Sequence, residues 1–178
     1  NTYQNIVYDV LKNSYVANML ECLNYGIDSS FNLYKLLKLS LTSINNDVSE
    51  KIVCCYFFMQ ILKDHGFIFK YQKTDYEYVG YSFLKNSFVD KFNIDYSVFG
   101  INDNLVKLTY YISTKNIDFL ECLDLSIKNI DFFEGLELGN KDLIKLFSFF
   151  NLLFKEYIGI ETKSYKKIID LEEMLSSK

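Results

Sequence analysis

A chain of 178 residues with 49% hydrophobic and 17% aromatic side chains can build one domain around its own core and is far too apolar for a disordered segment. Its net charge of −4 sets 23 acidic residues against 19 basic ones, every basic residue being lysine. Without arginine's planar fork, sequence-specific reading of DNA is disfavoured.

No proline and only seven glycines are present, so the frequent turns of a sandwich or barrel lack their usual markers and long helices are favoured. The spacing of Ile6, Val10, Ala17, Leu20, Cys22 and Leu23 predicts a first helix over residues 5–25, stopped at Gly26. That pattern is already running where the chain starts, which points to a piece of a longer protein. A second helix, from about residue 30 to 46, carries Leu33, Leu36, Leu37, Ser40 and Leu41 at helical spacing. Asp47 and Glu50 then stand at the spacing of a capping box. They predict a third helix over 48–64, apolar on nearly every side and closed by Gly66, which belongs at the centre of a bundle. Cys54 and Cys55 lie within it. With Cys22 and Cys122 they form no pair at the two-residue spacing of zinc sites, so they read as buried free thiols in a reducing, cytoplasmic compartment. The longest charge-free apolar run, 52–62, is well short of the ~20 residues that span a bilayer, and no signal peptide is legible.

From residue 67 to 99 the helical period is lost. Phe67-Ile68-Phe69, residues 76–81 and Phe83-Leu84 read as short strands or an irregular aromatic layer. Helical spacing resumes over 104–114, then in short pieces over 116–123, capped by Asn116, and 126–136, capped by Ser126. Between Ile117 and Leu138 one lysine faces six acidic residues, a local −5 that reads as a solvated face. The next element, 141–158, is apolar on most sides, with Lys141, Lys145, Ser148, Asn151 and Lys155 along one polar stripe. After Gly159 the chain enters a last helix that runs through Leu175. The fold expected is all-α: a single helical bundle of about six to eight helices, residues 1–178, with a small irregular or short-strand segment near 67–99.

Chemistry has little to work with. His65, the single histidine, sits at a helix end where it complements the dipole. There is no Gly-rich phosphate loop and no Gly-x-Ser-x-Gly elbow. Carboxylate pairs such as Glu172-Glu173 are expected on solvated faces, where nothing separates their pKa values. The reading is therefore not an enzyme, with no catalytic residue, metal or cofactor assigned. Binding is better supported. Residues 141–167 hold six lysines against Asp142, Glu156 and Glu161, a local +3 on an acidic chain. Lys163, Lys166 and Lys167 surround a helix start, where spare N–H groups favour an anion. Lys155 and the aromatics Phe154, Tyr157 and Tyr165 lie close by in sequence.

The order of elements resembles the C-terminal helical domain of RecO, the bacterial recombination mediator of DNA repair. The segment from Phe154-Lys155-Glu156-Tyr157 through Gly159 to Lys163-Ser164 is similar to the family's closing pattern, a helix ending in an aromatic turn, a Lys-Ser pair and a final helix. Residues 8–23, with Asn13-Ser14-Tyr15, resemble the first helix after the family's N-terminal OB-fold. The apolar helix ending in His65-Gly66-Phe67 resembles its leucine-rich helix. Many relatives carry a zinc site between that helix and the later ones, but residues 66–104 contain no cysteine here, so zinc is not carried over. The resemblance implies a non-enzymatic mediator that binds RecR, DNA and the single-stranded-DNA-binding protein, whose captured tail is acidic and ends in a hydrophobic residue. It also implies help with RecA loading and strand annealing, with much of the DNA contact made by an OB-fold outside this chain. In this chain Lys155, Lys163, Lys166 and Lys167 would hold the tail's carboxylates while Phe154, Tyr157 and Tyr165 receive its apolar end. Two other readings compete. A poxviral Bcl-2-like signalling inhibitor would need a groove for a partner helix. Direct non-specific DNA binding would lose affinity steeply with salt.

Overall fold

The computed structural model describes residues 3–23, 31–71, 74–117, 119–120 and 138–176. In chain order these contain α1 (Gln4–Val7), α2 (Val10–Leu23), α3 (Phe31–Asn45), α4 (Glu50–Asp64), β1 (Lys70–Tyr71), β2 (Tyr78–Ser82), β3 (Ser87–Asp90), β4 (Val98–Gly100), α5 (Asp103–Thr114), α6 (Asn140–Ile158) and α7 (Lys163–Ser176). The all-α expectation is thereby corrected. The described residues hold seven helices and a four-stranded mixed sheet, an α+β arrangement. The helix expected over 126–136 lies outside the described residues, as do Gly26 and Cys122.

Local hydrogen bonds, from side chains or backbone, set the helix boundaries. The single helix expected over 5–25 breaks after Val7, because Asp9 Oδ1 accepts the N–H groups of Leu11 and Lys12 at 2.9 and 3.0 Å and starts α2 afresh. Asp47 closes α3 instead of opening α4. It adopts φ +65°, and the Val48 and Asp47 N–H groups donate back to Ser43 O and Ile44 O at 3.0 and 3.2 Å, a left-handed C-terminal wrap usually built on glycine. Its carboxylate pairs with Lys12. Ser49 precedes α4 without a side-chain cap bond, so the predicted capping box is not formed. At the far end Gly66, φ +81°, makes the same wrap, Phe67 N–H donating to Leu62 O at 2.9 Å.

As its apolar circumference requires, α4 sits at the centre. Val53, Cys54, Cys55, Tyr56, Phe57 and Phe58 are fully buried, and α2, α3, α5 and α6 pack around the helix. Burial pushes the Cys54 and Cys55 thiols up, the direction of inert structural cysteines.

The sheet has the order β1-β3-β2-β4, with β1 parallel to β3 and the other pairs antiparallel. Scarce glycine and absent proline did not prevent it, because aspartate and asparagine side chains make the turns. Asn86 takes φ +50°. Asp90 accepts the Phe92 N–H at 2.9 Å, and Asp95 accepts the Ser97 N–H at 2.8 Å and the Ser82 hydroxyl at 2.6 Å. Gly80 is required where β4 crosses: a Cβ there would stand 2.5 Å from Val98 Cγ1 and 2.6 Å from Phe99 O. The face of the sheet turned toward α6 packs on Phe149, whose ring lies 5.3 Å from Tyr81, 5.6 Å from Phe99 and 6.1 Å from both Phe69 and Phe88. Sheet and helices thus share one core. Among the described residues no helix is long and apolar enough to cross a membrane.

Candidate docking cleft

The polar stripe of α6 leads to a cleft. Ser148 Oγ and Asn151 Nδ2 donate back to Ile144 O and Phe147 O, both at 3.0 Å, which satisfies these side chains on the helix while their outer edges face outward. Past Lys155, Gly159 at φ +81° stops α6 with its N–H on Lys155 O at 3.0 Å. The chain then reverses through the buried Ile160 and Thr162 into α7. Between these elements and β4 opens a cleft of about 270 Å³, lined by Phe99, Ser148, Asn151, Leu152, Lys155, Glu161, Thr162 and Tyr165. Phe99 and Leu152 make it apolar, and Tyr165 is steadied by Phe147 at 5.9 Å. At the rim Lys155 lies 3.1 Å from Glu161. Both side chains are well exposed, so that pair contributes at most ~1 kcal/mol and can exchange partners.

The start of α7 is arranged differently from the sequence reading. Its spare N–H groups are taken by the chain's own Glu21, which accepts from Lys163 N at 2.7 Å, Ser164 N at 3.0 Å and Ser164 Oγ at 2.6 Å. Partial burial alone would raise the Glu21 pKa. The bonds from Ser164 and the Lys163 N–H outweigh it and hold the carboxyl below its ordinary range. Fully buried Asn18 completes the anchor, Nδ2 donating to Thr162 Oγ1 at 2.7 Å and Ser164 Oγ at 2.9 Å. A ligand carboxylate would therefore compete with Glu21 for the Lys163 and Ser164 N–H groups, and the cation lining the cleft is Lys155.

The seven residues singled out from sequence do not form one surface. Lys155 and Tyr165 line the cleft. Lys163, Lys166 and Lys167 are exposed on the opening turns of α7 and are not among the residues that line it. Phe154 is 1% exposed and packs on Phe58 at 5.2 Å, so it belongs to the core and cannot receive a ligand. Tyr157 stands edge-on to Phe67 at 4.8 Å and lines another hollow with Phe67, Tyr81, Phe83 and Leu153. The 3.6-residue period explains the split, since positions 154, 155 and 157 of one helix cannot point the same way. Phe99 and Leu152 were missed. Leu152 neighbours the stripe and was legible, whereas Phe99 arrives from the sheet and was not.

A second polar cluster lies inside the molecule. Lys51 Nζ is 2.6 Å from Glu172 Oε1 and 2.7 Å from Glu50 Oε1. Glu172 also accepts from Tyr15 OH at 2.9 Å and Asn140 Nδ2 at 3.3 Å. Glu172, expected on a solvated face, is 2% exposed. Burial alone would lower the Lys51 pKa, but its bonds to Glu172 and Glu50 prevail and raise it. Burial and the adjacent Glu172 push the Tyr15 hydroxyl far up. With its valences satisfied internally, the cluster ties α2, α4, α6 and α7 together. His65, exposed, has Nδ1 2.9 Å from Ile61 O at the end of α4. A more apolar hollow of about 290 Å³ beside Tyr71, Tyr78, Val106 and Tyr110 also includes Lys107, which is bonded to Asp103 at 2.7 Å. Among the described residues no group of three His, Cys, Asp or Glu side chains could hold a metal ion.

Comparison with known proteins adds no relative. No family model matches the chain, and no curated protein or solved structure does.

Proposed function

We propose that this chain is a non-enzymatic docking domain of the RecO recombination-mediator type, whose cleft between β4, α6 and α7 captures the acidic, apolar-ended tail of a single-stranded-DNA-binding protein. The observation that carries this reading is the cleft itself. Apolar walls of Phe99, Leu152 and Tyr165 line it together with Lys155, and Lys163, Lys166 and Lys167 are exposed on the helix that carries Tyr165, on a chain of net charge −4. A ligand greasy at one end and anionic at the other fits that division. The element order also supports it. A central apolar helix ends at His65-Gly66-Phe67, and α6 and α7 are joined through Gly159 and Lys163-Ser164. Where many RecO proteins place a zinc site, this chain has the sheet, one end of it held by Thr74 Oγ1 and Asn93 Nδ2 on Asp90 at 2.6 and 3.0 Å. RecR, and DNA through a companion OB-fold, would be the remaining partners, and RecA loading and strand annealing the outcome.

Fluorescence polarisation with a labelled acidic peptide ending in a hydrophobic residue tests the reading. Saturable binding is expected, weakened at least about tenfold (roughly 1.4 kcal/mol) by Lys155→Glu or Tyr165→Ala. Lys163→Glu with Lys167→Glu should weaken it less. No saturable binding, or binding indifferent to both cleft substitutions, refutes it.

A further inference from the structure

The cleft borders an open sheet edge. In the order β1-β3-β2-β4 the last strand is paired on one side only. The β2–β4 ladder is bracketed by Phe83 N–H on Ser97 O at 3.4 Å and Ile101 N–H on Val79 O at 3.1 Å, with Tyr81 opposite Phe99. Antiparallel pairs alternate between bonded and non-bonded. Phe99 therefore spends its backbone groups on β2, while the Val98 C=O and the Gly100 N–H and C=O point away from it. The Val98 N–H is already used on Asp95 O at 3.3 Å.

Exposed edges are ordinarily blunted by shortness, charge, proline, a bulge or a covering element, and of these β4, three residues long, has shortness. Val98-Phe99-Gly100 carries neither charge nor proline, and among the described residues no strand pairs with its outer side. Gly100 is exposed, and a Cβ built on it would meet only Val79 O, at 3.9 Å.

What lies beneath the edge points to its use. Phe149 of α6 supports Tyr81 and Phe99 from below, and Ser148, Asn151, Leu152 and Lys155 of the same helix continue beyond Phe99 as the cleft lining. Neighbouring strands lie about 4.8 Å apart. A further strand beside β4 would thus lie over the cleft as β4 lies over Phe149, with alternate side chains pointing down into it.

We infer that the captured peptide binds as a fifth strand on the outer edge of β4. Its backbone bonds to Val98 and Gly100, one apolar side chain enters the cleft, and its acidic residues lie toward Lys155 and the lysines of α7. This inference rests on the proposed peptide-docking role of the cleft and adds the backbone mode by which recognition occurs.

The test uses the full chain and a labelled acidic, apolar-ended peptide, with two analogues N-methylated at odd or at even backbone amides. Only alternate residues of an added strand face β4. One analogue should therefore lose at least about tenfold in affinity while the other stays within about twofold. Gly100→Pro removes the outward N–H and should weaken the parent peptide comparably, whereas Gly100→Ala keeps that donor and should bind normally. Thermal unfolding checks both variants, and if Gly100→Pro fails to fold the methylated peptides still decide. Parent binding that is weakened by Lys155→Glu but unaffected by either methylation pattern overturns strand addition and leaves the docking cleft standing. Absence of any saturable parent binding overturns both.

Discussion

Replacing Lys51 by methionine isolates the electrostatic centre of the fold. The ammonium stands 2.6 Å from Glu172 and 2.7 Å from Glu50, the three side chains being 6%, 3% and 15% exposed. Lys51→Met keeps the length of the side chain and removes the charge, leaving two carboxylates that share a pocket with no cation. Breaking a buried pair in this way costs about 3–5 kcal/mol. Glu172 retains donors from Tyr15 OH at 2.9 Å and Asn140 Nδ2 at 3.3 Å, which moves the expectation to the low end, about 3 kcal/mol. For a domain of this size that is roughly 6–12 °C in Tm. Urea unfolding followed by circular dichroism reads it directly. The second arm of the cycle is Glu172→Gln, whose carbonyl can still accept from Tyr15. Combined with Lys51→Met it leaves no buried unpaired charge at position 172, so the double variant should be less destabilised than the two single losses summed, by about 2 kcal/mol. A Lys51→Met loss below about 1 kcal/mol, or simple additivity, would show that the cluster is solvated in solution and refute the reasoning.

Other consequences follow from the anchors around the cleft. Glu21 has a folded pKa below its ordinary value. Its contribution is present above the unfolded value of about 4.5 and fades as pH falls through the folded one. Glu21→Gln should cost about 1 kcal/mol near neutrality, and the difference from the parent should shrink in unfolding curves taken below pH 4. Phe154→Ala should cost about 3–5 kcal/mol and Tyr157→Ala about 1 kcal/mol or less in the same denaturation assay, because only the first is enclosed. Gly159→Ala, at φ +81°, should lose roughly 1–2 kcal/mol by differential scanning calorimetry. Gly100, outside the left-handed region and with only Val79 O near a built Cβ, at 3.9 Å, should accept alanine with little change.

Local signals in the sequence were reliable where they depended on the residue itself and misleading where a distant partner decided. Gly66 and Gly159 stop helices because only they take φ near +81° without strain. The apolar circumference of 48–64 required a central position. Asp47 offered the same letters to two structures. The spacing to Glu50 favoured a cap for α4, but the wrap at the end of α3 and the Lys12 partner 35 positions away determined the outcome. Glu172 could not be read, since its burial depends on Tyr15, 157 positions earlier. The sheet was legible as lost helical period and aromatic content. Its extent was not, because Asp90 and Asp95 built turns that glycine and proline usually announce.

The same accounting changes what the lysines mean. A count of charges over 141–167 leaves out carboxylates that the fold brings in from elsewhere in the chain. Glu21 fills the α7 terminus, and Glu172 is enclosed with Lys51. Glu161, well exposed, is the acidic side chain left at the rim. Lys155 is the cation that lines the cleft, and Lys163, Lys166 and Lys167 are exposed on α7, flexible cations on long stems that attract an anion without fixing its orientation. Since the helix terminus is occupied, the orientation of a bound chain has to come from groups that do not move. Beside the cleft the described structure offers two: the apolar hollow under Phe99 and the outward backbone of Val98 and Gly100. Recognition of a peptide by the proposed mode would accordingly depend on strand geometry first and on charge second.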